Sequence, residues 1–276
     1  MLSHLLTKKQ IPIVLSGSST GGALHAYKIL KQMRVSEPII GETDILPYAA
    51  RLVSPTHIKI FHKTKWRQLS CFPSEHSSDF YEDMKPIYPE FEPADNVLQT
   101  SLSNINAILH PPGMILKAGW IESTGGNFLF YSQGVTPAIA QVIAEIDGER
   151  VEIMRKASLK PMSIVELLNR YGFSSVDSNS SVFESIRSSS TISEIRSPNS
   201  LNHRYLVEDV GYGLVPMSLI AKIFGVKTQN IDSLINLASI LNNIDHWEKG
   251  MTLEKLGLKG IHLDMINLYL ENGTLA

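Results

Sequence analysis

The segment VLSGSSTGGALHAYKIL, Val14 to Leu30, constrains the fold of this chain more than any other stretch. It predicts a short apolar strand, a glycine-rich turn and an amphipathic helix, an order that presents backbone N–H groups and a helix N-terminus to an anion. The glycines are Gly17, Gly21 and Gly22, so the spacing differs from G-x-G-x-x-G, and no lysine follows as a P-loop requires. A second strand predicted at Pro38 to Glu42 completes a βαβ unit.

Hydrophobic periodicity gives the bounds of the first elements. A buried strand is predicted at Ile11 to Leu15 and a helix at Thr20 to Met33, whose inward positions are Ala23, Leu24, Tyr27 and Leu30. The next segments, His57 to His62 and Arg67 to Phe72, are expected to form a pair of strands. A helix at Ser77 to Lys85, capped by Ser77 or Ser78, precedes the proline-rich stretch Pro86 to Pro93, which interrupts the pattern.

From Asn96 onward the pattern is almost wholly helical. Thr136 followed by Pro137 is a strong helix start. Further helices are predicted at Ser163 to Tyr171, Ser218 to Phe224, Thr228 to Asn242, with Thr228 as a cap, and His262 to Glu271. The serine-rich stretch Ser174 to Ser200 is expected to be a mobile connection with one short helix. We therefore predict an α/β part over residues 1–93 and an α-helical part over residues 94–276.

Charge and composition exclude several classes of function. The 276 residues carry 25 Lys plus Arg and 27 Asp plus Glu, a net charge of -2, so we expect no nucleic-acid or anionic membrane partner. No apolar run reaches the length of a membrane span, and the N-terminus does not resemble a signal peptide. The single Cys71 has no disulfide partner, in keeping with the cytoplasm. The nine histidines show no metal-binding spacing, so we expect no metal site.

The segment SLSNINAILHPPGMIL contains the first candidate for chemistry. His110 directly precedes Pro111 and Pro112, which predicts that an apolar helix ends at His110, beside unsatisfied carbonyls that favour a protonated imidazole. The alternative is a capping or core histidine. Asn104 and Asn106 are unusual in a buried helix and need hydrogen-bond partners.

Two further segments place polar residues among apolar ones. In HRYLVEDVGYGLVP, Arg204 is suited to bind a carboxylate bidentately, and Asp209 is suited to hold an imidazole; the alternative is an ion pair between Arg204 and Glu208. In the same segment, Gly211 and Gly213 predict a tight backbone path. In GETDILPYAARL, the side chains of Glu42, Thr43 and Arg51 are expected beyond the carboxyl end of the second strand, where open α/β sheets bind ligands.

Six blocks in order resemble the octopine/nopaline (opine) dehydrogenase family: VLSGSSTGGAL, GETDILPYAARL, TSLSNINAILHPPGMIL, FLFYSQGVTPAIAQVIAEID, HRYLVEDVGYGLVP and TLEKLGLKGI. The resemblance implies a dinucleotide-binding domain followed by an α-helical domain, and NAD- or NADP-dependent reduction of the imine formed from an amino acid and a 2-oxo acid. It implies that His110 is catalytic, that Asp209 is its partner and that Arg204 holds the oxo-acid carboxylate. We expect Asn106 to bind substrate. The cofactor is expected near Gly17, Gly21, Gly22 and Thr43.

The chain departs from this family at two places. No G-x-G-x-x-G precedes Ile11, so we expect a partial, N-terminally truncated Rossmann-like domain that self-associates, takes the missing half from a complementing nucleotide-binding chain, or comes from a truncated gene model. Gly211 also stands where the family usually has proline. A non-catalytic or partner-dependent binding subunit is one alternative, and a reductase of another 2-oxo acid or imine is the other.

Overall fold

The computed structural model describes residues 13–177 and 179–274 of the chain. Six strands lie in this part: β1 (Ile13–Leu15), β2 (Ile40–Thr43), β3 (Tyr48–Ser54), β4 (His57–Lys63), β5 (Arg67–Phe72) and β6 (Phe91–Pro93). The main sheet has the order β1-β2-β5-β6. Strands β1 and β2 are parallel, β2 and β5 are antiparallel, and β5 and β6 are parallel, so the sheet is mixed. Strands β3 and β4 form a separate antiparallel hairpin.

The helices of the described residues are α1 (Gly22–Gln32), α2 (Ser77–Met84), α3 (Val97–Ser103), α4 (Asn106–Ile115), α5 (Ala118–Thr124), α6 (Pro137–Lys156), α7 (Ile164–Tyr171), α8 (Val182–Arg187), α9 (Arg204–Asp209), α10 (Val215–Ile223), α11 (Gln229–Asn242), α12 (His246–Lys249), α13 (Leu253–Leu256) and α14 (Leu263–Asn272). One π-helical turn, Val210–Leu214, joins α9 to α10. Within the described ranges, no helix combines the length and apolar character that crossing a membrane requires.

The predicted βαβ unit is confirmed. Strand β1, helix α1 and strand β2 follow one another, and the two strands are parallel. The four inward positions Ala23, Leu24, Tyr27 and Leu30 are all buried. Ile11 and Pro12 lie outside the described residues. The predicted class, an α/β part followed by helices, is also what the chain forms.

The pairing predicted for His57 to His62 with Arg67 to Phe72 is wrong, although both segments are strands. Every residue of β5 is buried, so β5 lies inside the main sheet between β2 and β6. Strand β4 is largely exposed and pairs with β3, which the sequence analysis did not predict. Strand β6 likewise lies inside the proline-rich stretch, where no element was predicted.

The helix caps match the predictions only in part. The hydroxyl of Thr136 accepts a hydrogen bond from the first turn of α6, at the predicted helix start, and Ser163 caps α7 in the same way, although no cap was predicted there. The predicted serine cap of α2 is wrong, because the cap residue is His76 and the hydroxyl of Ser77 accepts a bond from the backbone of Cys71 instead. Thr228 occupies the cap position of α11, as predicted, but its hydroxyl donates to the Asp232 carboxylate and accepts no bond from the first turn.

One apolar core extends through both predicted parts of the chain. The largest cluster of buried apolar side chains includes Ala23 and Ile40 from the α/β part and Leu98, Ile143 and Leu270 from the helical part. A smaller cluster, Leu69, Cys71, Phe80 and Phe91, lies on the other face of the sheet. The division at residue 93 therefore stays a prediction.

Candidate active site

Helix α4 carries His110 into the interior of the helical part. The predicted helix end at His110 is wrong, because α4 continues to Ile115 with Pro111 and Pro112 inside it. The two prolines have no N–H to donate to the carbonyls of the preceding turn. Every residue from Ala107 to Ile115 is buried, and α6, α9 and α11 pack around the helix. Tertiary packing thus maintains a helix that its own hydrogen bonds would not.

Both ring nitrogens of His110 have partners. Nδ1 lies 2.7 Å from Oδ2 of Asp209, and Nε2 lies 2.9 Å from the hydroxyl oxygen of Tyr131. The imidazole is stacked on the ring of Tyr205, with 3.6 Å between ring centroids, and only 6% of the residue is exposed. Because a carboxylate only accepts, the Nδ1 proton stays toward Asp209. Neutral His110 then accepts at Nε2, and protonated His110 donates there.

The π-helical turn places Asp209 against α4. Asp209 is the last residue of α9, and the turn Val210–Leu214 follows it directly. A Cβ atom at Gly213 would lie 2.7 Å from the Cβ of Ala107, so only glycine permits this approach of the turn to α4. The tight path predicted at Gly213 is therefore confirmed. Such π-helical turns occur often at functional sites.

Arg204 reaches the same region from the first residue of α9. Its Nε lies 3.6 Å from Oε2 of Glu208, and the two side chains are 56% and 60% exposed. The predicted alternative, an ion pair between these residues, is thus present. An exposed pair of this kind contributes only about 0–1 kcal/mol, so the guanidinium is free to exchange Glu208 for a bound carboxylate.

A cavity of about 270 Å³ brings most of the predicted residues together. Gly17, Asn106, His110 and Arg204 all line it, and Asp209 lies behind His110. The other lining residues include Ile45, Leu46, Leu109, Tyr131, Ile195, His203 and Tyr205. An adjoining cavity of about 330 Å³ shares its wall at Phe61, Thr191, Ile195, His203 and Tyr205 and adds Glu194 and Arg196.

Three N–H groups of the glycine-rich turn and the helix after it bind inside the protein, which differs from the predicted presentation of these groups to an anion. The N–H of Gly17 donates to the Thr43 hydroxyl at 2.9 Å, and that of Gly21 donates to the Ser101 hydroxyl at 3.0 Å. The N–H of Ala23, in the first turn of α1, donates to the Glu42 carboxylate at 2.9 Å. Internal acceptors therefore occupy these three donors. Gly21, Gly22 and Thr43 do not line the cavity, and only Gly17 does.

Glu42 has a structural position instead of the ligand-binding position predicted for it. The side chain is fully buried, and the hydroxyls of Thr100 and Ser101 donate to Oε1 at 2.9 and 2.7 Å. Burial raises the pKa of Glu42 to about 7, and these hydrogen bonds act in the opposite direction. Glu42 thus joins α1 to α3. The backbone of Arg51 lies in the β3–β4 hairpin, opposite Lys59.

The predicted need for partners at the asparagines is met at Asn104. Its Nδ2 donates to the carbonyl of Ser18 at 2.7 Å, and its Oδ1 accepts from the N–H of Asn106 at 3.0 Å. This pair of bonds fixes the start of α4 against the turn that follows β1. The side chain of Asn106 is then placed at the cavity wall.

Sequence reasoning missed two residues that contact His110 and a buried lysine beside Phe130. Tyr131 and Tyr205 contact the imidazole directly. Lys117 is buried, and its Nζ donates to the carbonyl of Phe130 at 2.8 Å and lies 3.4 Å from the centre of the Phe130 ring. Burial lowers the pKa of Lys117 to about 7. A polar atom inside the aromatic run FLFY was the signal for Tyr131; nothing comparable marks Lys117.

Among residues 13–177 and 179–274, no group of three or more His, Cys, Asp and Glu side chains is placed to hold a metal ion. The buried thiol of Cys71 donates to the carbonyl of Pro73, as expected of a core cysteine. The cavity wall thus carries the imidazole of His110, backed by the Asp209 carboxylate, and the exposed guanidinium of Arg204.

Comparisons with known proteins point to one family. Residues 93–242 match the family described as NAD/NADP octopine/nopaline dehydrogenase, alpha-helical domain. An opine dehydrogenase of Arthrobacter sp. (strain 1C) is 34% identical over 250 residues, which cover 90% of this chain and 68% of that protein. A solved octopine dehydrogenase with NADH and L-arginine superposes with a TM-score of 0.72 at 18% identity, covering 96% of this chain and 72% of that one. For NADP+-bound yersinopine dehydrogenase the TM-score is 0.67 at 14% identity, with 94% and 71% covered.

Proposed function

The chain belongs to the NAD/NADP octopine/nopaline dehydrogenase family, and we propose that it reduces the imine formed between an amino acid and a 2-oxo acid. The observation that carries this proposal is the His110–Asp209 pair, with 2.7 Å between Nδ1 and Oδ2, at a cavity that Arg204 also lines. A proton donor and a carboxylate-binding cation at one cavity are what condensation and reduction of a 2-oxo acid require.

Each residue has a defined role in this proposal. Asp209 fixes the imidazole and stabilises its protonated form, and His110 supplies the proton. Arg204 releases Glu208 and binds the oxo-acid carboxylate. Asn106 provides an amide at the cavity wall for the substrate. The amino acid extends into the adjoining cavity, which Glu194 and Arg196 line.

The cavity fits the reacting end of a nicotinamide cofactor. Ile45, Leu46 and Leu109 supply apolar contacts, Gly17 has no side chain to obstruct a ring, and His110 lies at the same cavity. A volume of about 270 Å³ is just below the ~300–1,000 Å³ typical of small-molecule pockets, so it suits a nicotinamide ring and an imine but not a whole dinucleotide. NADH or NADPH, when bound, supplies the hydride. The hydroxyl of Thr43 accepts from the N–H of Gly17 and so holds its backbone at this wall, while Gly21 and Gly22 continue the same turn toward α1.

Strand β1 offers a position for a further strand. It is the edge of the main sheet among the described residues, and Val14 on it is 36% exposed. An edge strand presents backbone groups to which another strand can pair. We include in the proposal that a nucleotide-binding segment, from a complementing chain or a second copy, pairs there.

The test is a substrate matrix with single and paired components. Oxidation of NADH and of NADPH is followed with amino acids and 2-oxo acids, each alone and in combination. The proposal expects turnover only when both components are present, and a loss of about 10²–10⁴ in kcat for His110→Ala. The matched control is His57→Ala, on exposed strand β4 outside the cavity lining.

Three outcomes would contradict the proposal. Turnover with an oxo acid alone indicates a reductase of another 2-oxo acid. No turnover with any pair, together with cofactor binding in calorimetric titration, indicates a binding subunit. Turnover of His110→Ala equal to that of His57→Ala removes His110 from the mechanism.

A further inference from the structure

At the cavity wall, the nitrogen through which His110 can give up a proton is hydrogen-bonded to the hydroxyl of another residue. Nε2 is the only ring nitrogen left after Asp209 binds Nδ1, and it lies 2.9 Å from the Tyr131 hydroxyl oxygen. Tyr131 itself lines the cavity. We propose that Tyr131 is a catalytic residue that relays the proton between His110 and the substrate; this proposal rests on the function proposed above.

Packing prevents His110 from delivering the proton by turning. One face of the imidazole lies against Tyr205, with an interplanar angle of 10°, and Phe130 contacts the ring with its edge at 6.3 Å between centroids. Rotation about the side chain would break the 2.7 Å contact with Asp209 inside a buried site. An unpaired buried carboxylate is costly. The ring therefore stays in place, and the proton has to leave through the hydroxyl of Tyr131.

The backbone around Tyr131 is held from both sides. The N–H of Phe130 donates to the carbonyl of Ile195 at 2.7 Å, and Lys117 donates to the carbonyl of Phe130 at 2.8 Å. On the other side, the Ser132 hydroxyl donates to the carbonyl of Ser193 at 2.7 Å. These bonds keep the hydroxyl of Tyr131 at a fixed distance from Nε2, which a proton relay requires.

The relay applies to the loss of water from the adduct of the amine and the 2-oxo acid. The Nε2–H bond of protonated His110 breaks and an O–H bond forms at Tyr131. The original hydroxyl proton of Tyr131 passes to the hydroxyl group of the adduct, the C–O bond breaks and water leaves. The nitrogen lone pair of the adduct forms the C=N bond. The positive charge thus moves from His110 to the iminium, and Tyr131 ends the step neutral.

The experiment compares Tyr131→Phe with Tyr88→Phe, the same chemical change outside the cavity lining. The relay predicts that kcat of Tyr131→Phe falls by about 10²-fold or more while the KM of both substrates stays unchanged, since only the proton path is removed. In mixtures of H2O and D2O, the plot of kcat against the deuterium fraction should be curved for the wild type, which indicates two moving protons. The variant should lose that curvature. A wild-type kcat and an unchanged isotope effect in Tyr131→Phe would overturn the relay.

A second variant covers the case in which Tyr131→Phe fails to fold. Tyr131→Ala opens space for an added small molecule, and the relay predicts that phenol restores activity and toluene does not. Equal effects of the two compounds, or none, would contradict the relay. Nitrogen NMR of the histidines gives a readout without turnover: the Nε2 resonance of His110 should change in the variant, whereas the Nδ1 resonance should not.

Failure of the relay is distinct from failure of the proposed function. If the wild type turns over paired substrates, His110→Ala is inactive and Tyr131→Phe is fully active, the relay is wrong and the dehydrogenase assignment stands. If the wild type itself shows no turnover with any pair, the proposed function fails and the relay fails with it.

Discussion

Asp44 shows how one buried side chain makes stability depend on pH. The hydroxyl oxygen of Tyr171 lies 2.9 Å from Oδ2 of Asp44 and 2.8 Å from the carbonyl oxygen of Ser103. Tyr171 has a single hydroxyl proton and can donate it to only one of these two oxygens, and the carbonyl of Ser103 cannot donate in return. Both contacts are satisfied when Asp44 is protonated and donates to Tyr171, which donates to Ser103. Burial raises the pKa of Asp44 to about 7 and thereby favours this form.

Asp44→Asn should therefore remove one component of the pH dependence of stability. Asparagine reproduces the protonated form, since its amide donates to Tyr171 and its oxygen accepts from the N–H of Gln68. Between pH ~4 and ~7 the native carboxyl holds a proton that the unfolded chain has lost, so the free energy of unfolding of the wild type falls as pH rises, by up to about 1.4 kcal/mol per pH unit. Above the native pKa of about 7 this contribution is constant.

Urea unfolding of both proteins across this pH range measures the difference. The advantage of Asp44→Asn should grow from low pH to neutral pH and then level off. Glu42, whose pKa burial also raises to about 7, is present in both proteins and cancels in the comparison. Parallel stability curves for the two proteins would rule out a protonated Asp44.

At the scale of elements, the approach of the π-helical turn to α4 depends on Gly213. The Cβ of an alanine there would meet the Cβ of Ala107 at 2.7 Å, and neither helix has a flexible atom that could give way. Gly213→Ala should cost about 1–3 kcal/mol in stability by overpacking. Because the shift separates α9 from α4, kcat should fall as well.

Gly148 provides the matched control for this substitution. It lies in the middle of α6, and nothing comes within 4 Å of its added Cβ. Gly148→Ala should stabilise the protein by about 1 kcal/mol, the difference in helix propensity, and leave kcat unchanged. Thermal unfolding and steady-state kinetics on both variants are the measurement. A Gly213→Ala protein as stable and as active as Gly148→Ala would contradict the packing argument.

Sequence patterns predicted the elements that have a clear hydrophobic period. They failed where tertiary contacts determine how far an element extends or which strand it pairs with. The helix α1 and its buried face follow from spacing alone, and so does the start of α6 at Thr136. The continuation of α4 through Pro111 and Pro112 could not be predicted, because packing outside that segment holds it. The strand-pairing prediction failed for a similar reason. Strand β5 is buried in the main sheet, whereas β4 is largely exposed and pairs with β3, and the local sequence did not reveal this difference in burial.

At the candidate site, too, the sequence predicted some residues correctly and failed where distant contacts determine the structure. Residue types and family resemblance identified His110, Asp209 and Arg204, and the structure brings the first two into contact and places the third at the same cavity. Their proposed roles remain predictions. The glycine-rich turn shows the limit of local patterns, since its donors bind Thr43, Ser101 and Glu42, which are far away in the sequence.

For the whole molecule, the continuity of the core raises the question of whether the α/β and helical parts unfold separately. Besides the shared apolar cluster, Tyr171 of α7 reaches Asp44 after β2, and Glu42 binds Ser101 of α3. Loss of either part would leave these buried groups without partners, at several kcal/mol.

We therefore expect a single unfolding transition, and the tryptophans allow a direct test. Trp66 lies in the α/β part, with its ring 5.8 Å from that of Tyr171, and Trp247 lies in the helical part, where it donates to Asn236. One variant retains only Trp66 and the other only Trp247, the remaining tryptophans being replaced by phenylalanine. In each variant, fluorescence and far-ultraviolet circular dichroism should give the same urea midpoint, because separating the parts exposes the shared core. A Trp66 transition at lower urea than the loss of helix would instead show that the α/β part unfolds by itself and that residue 93 is a true domain boundary.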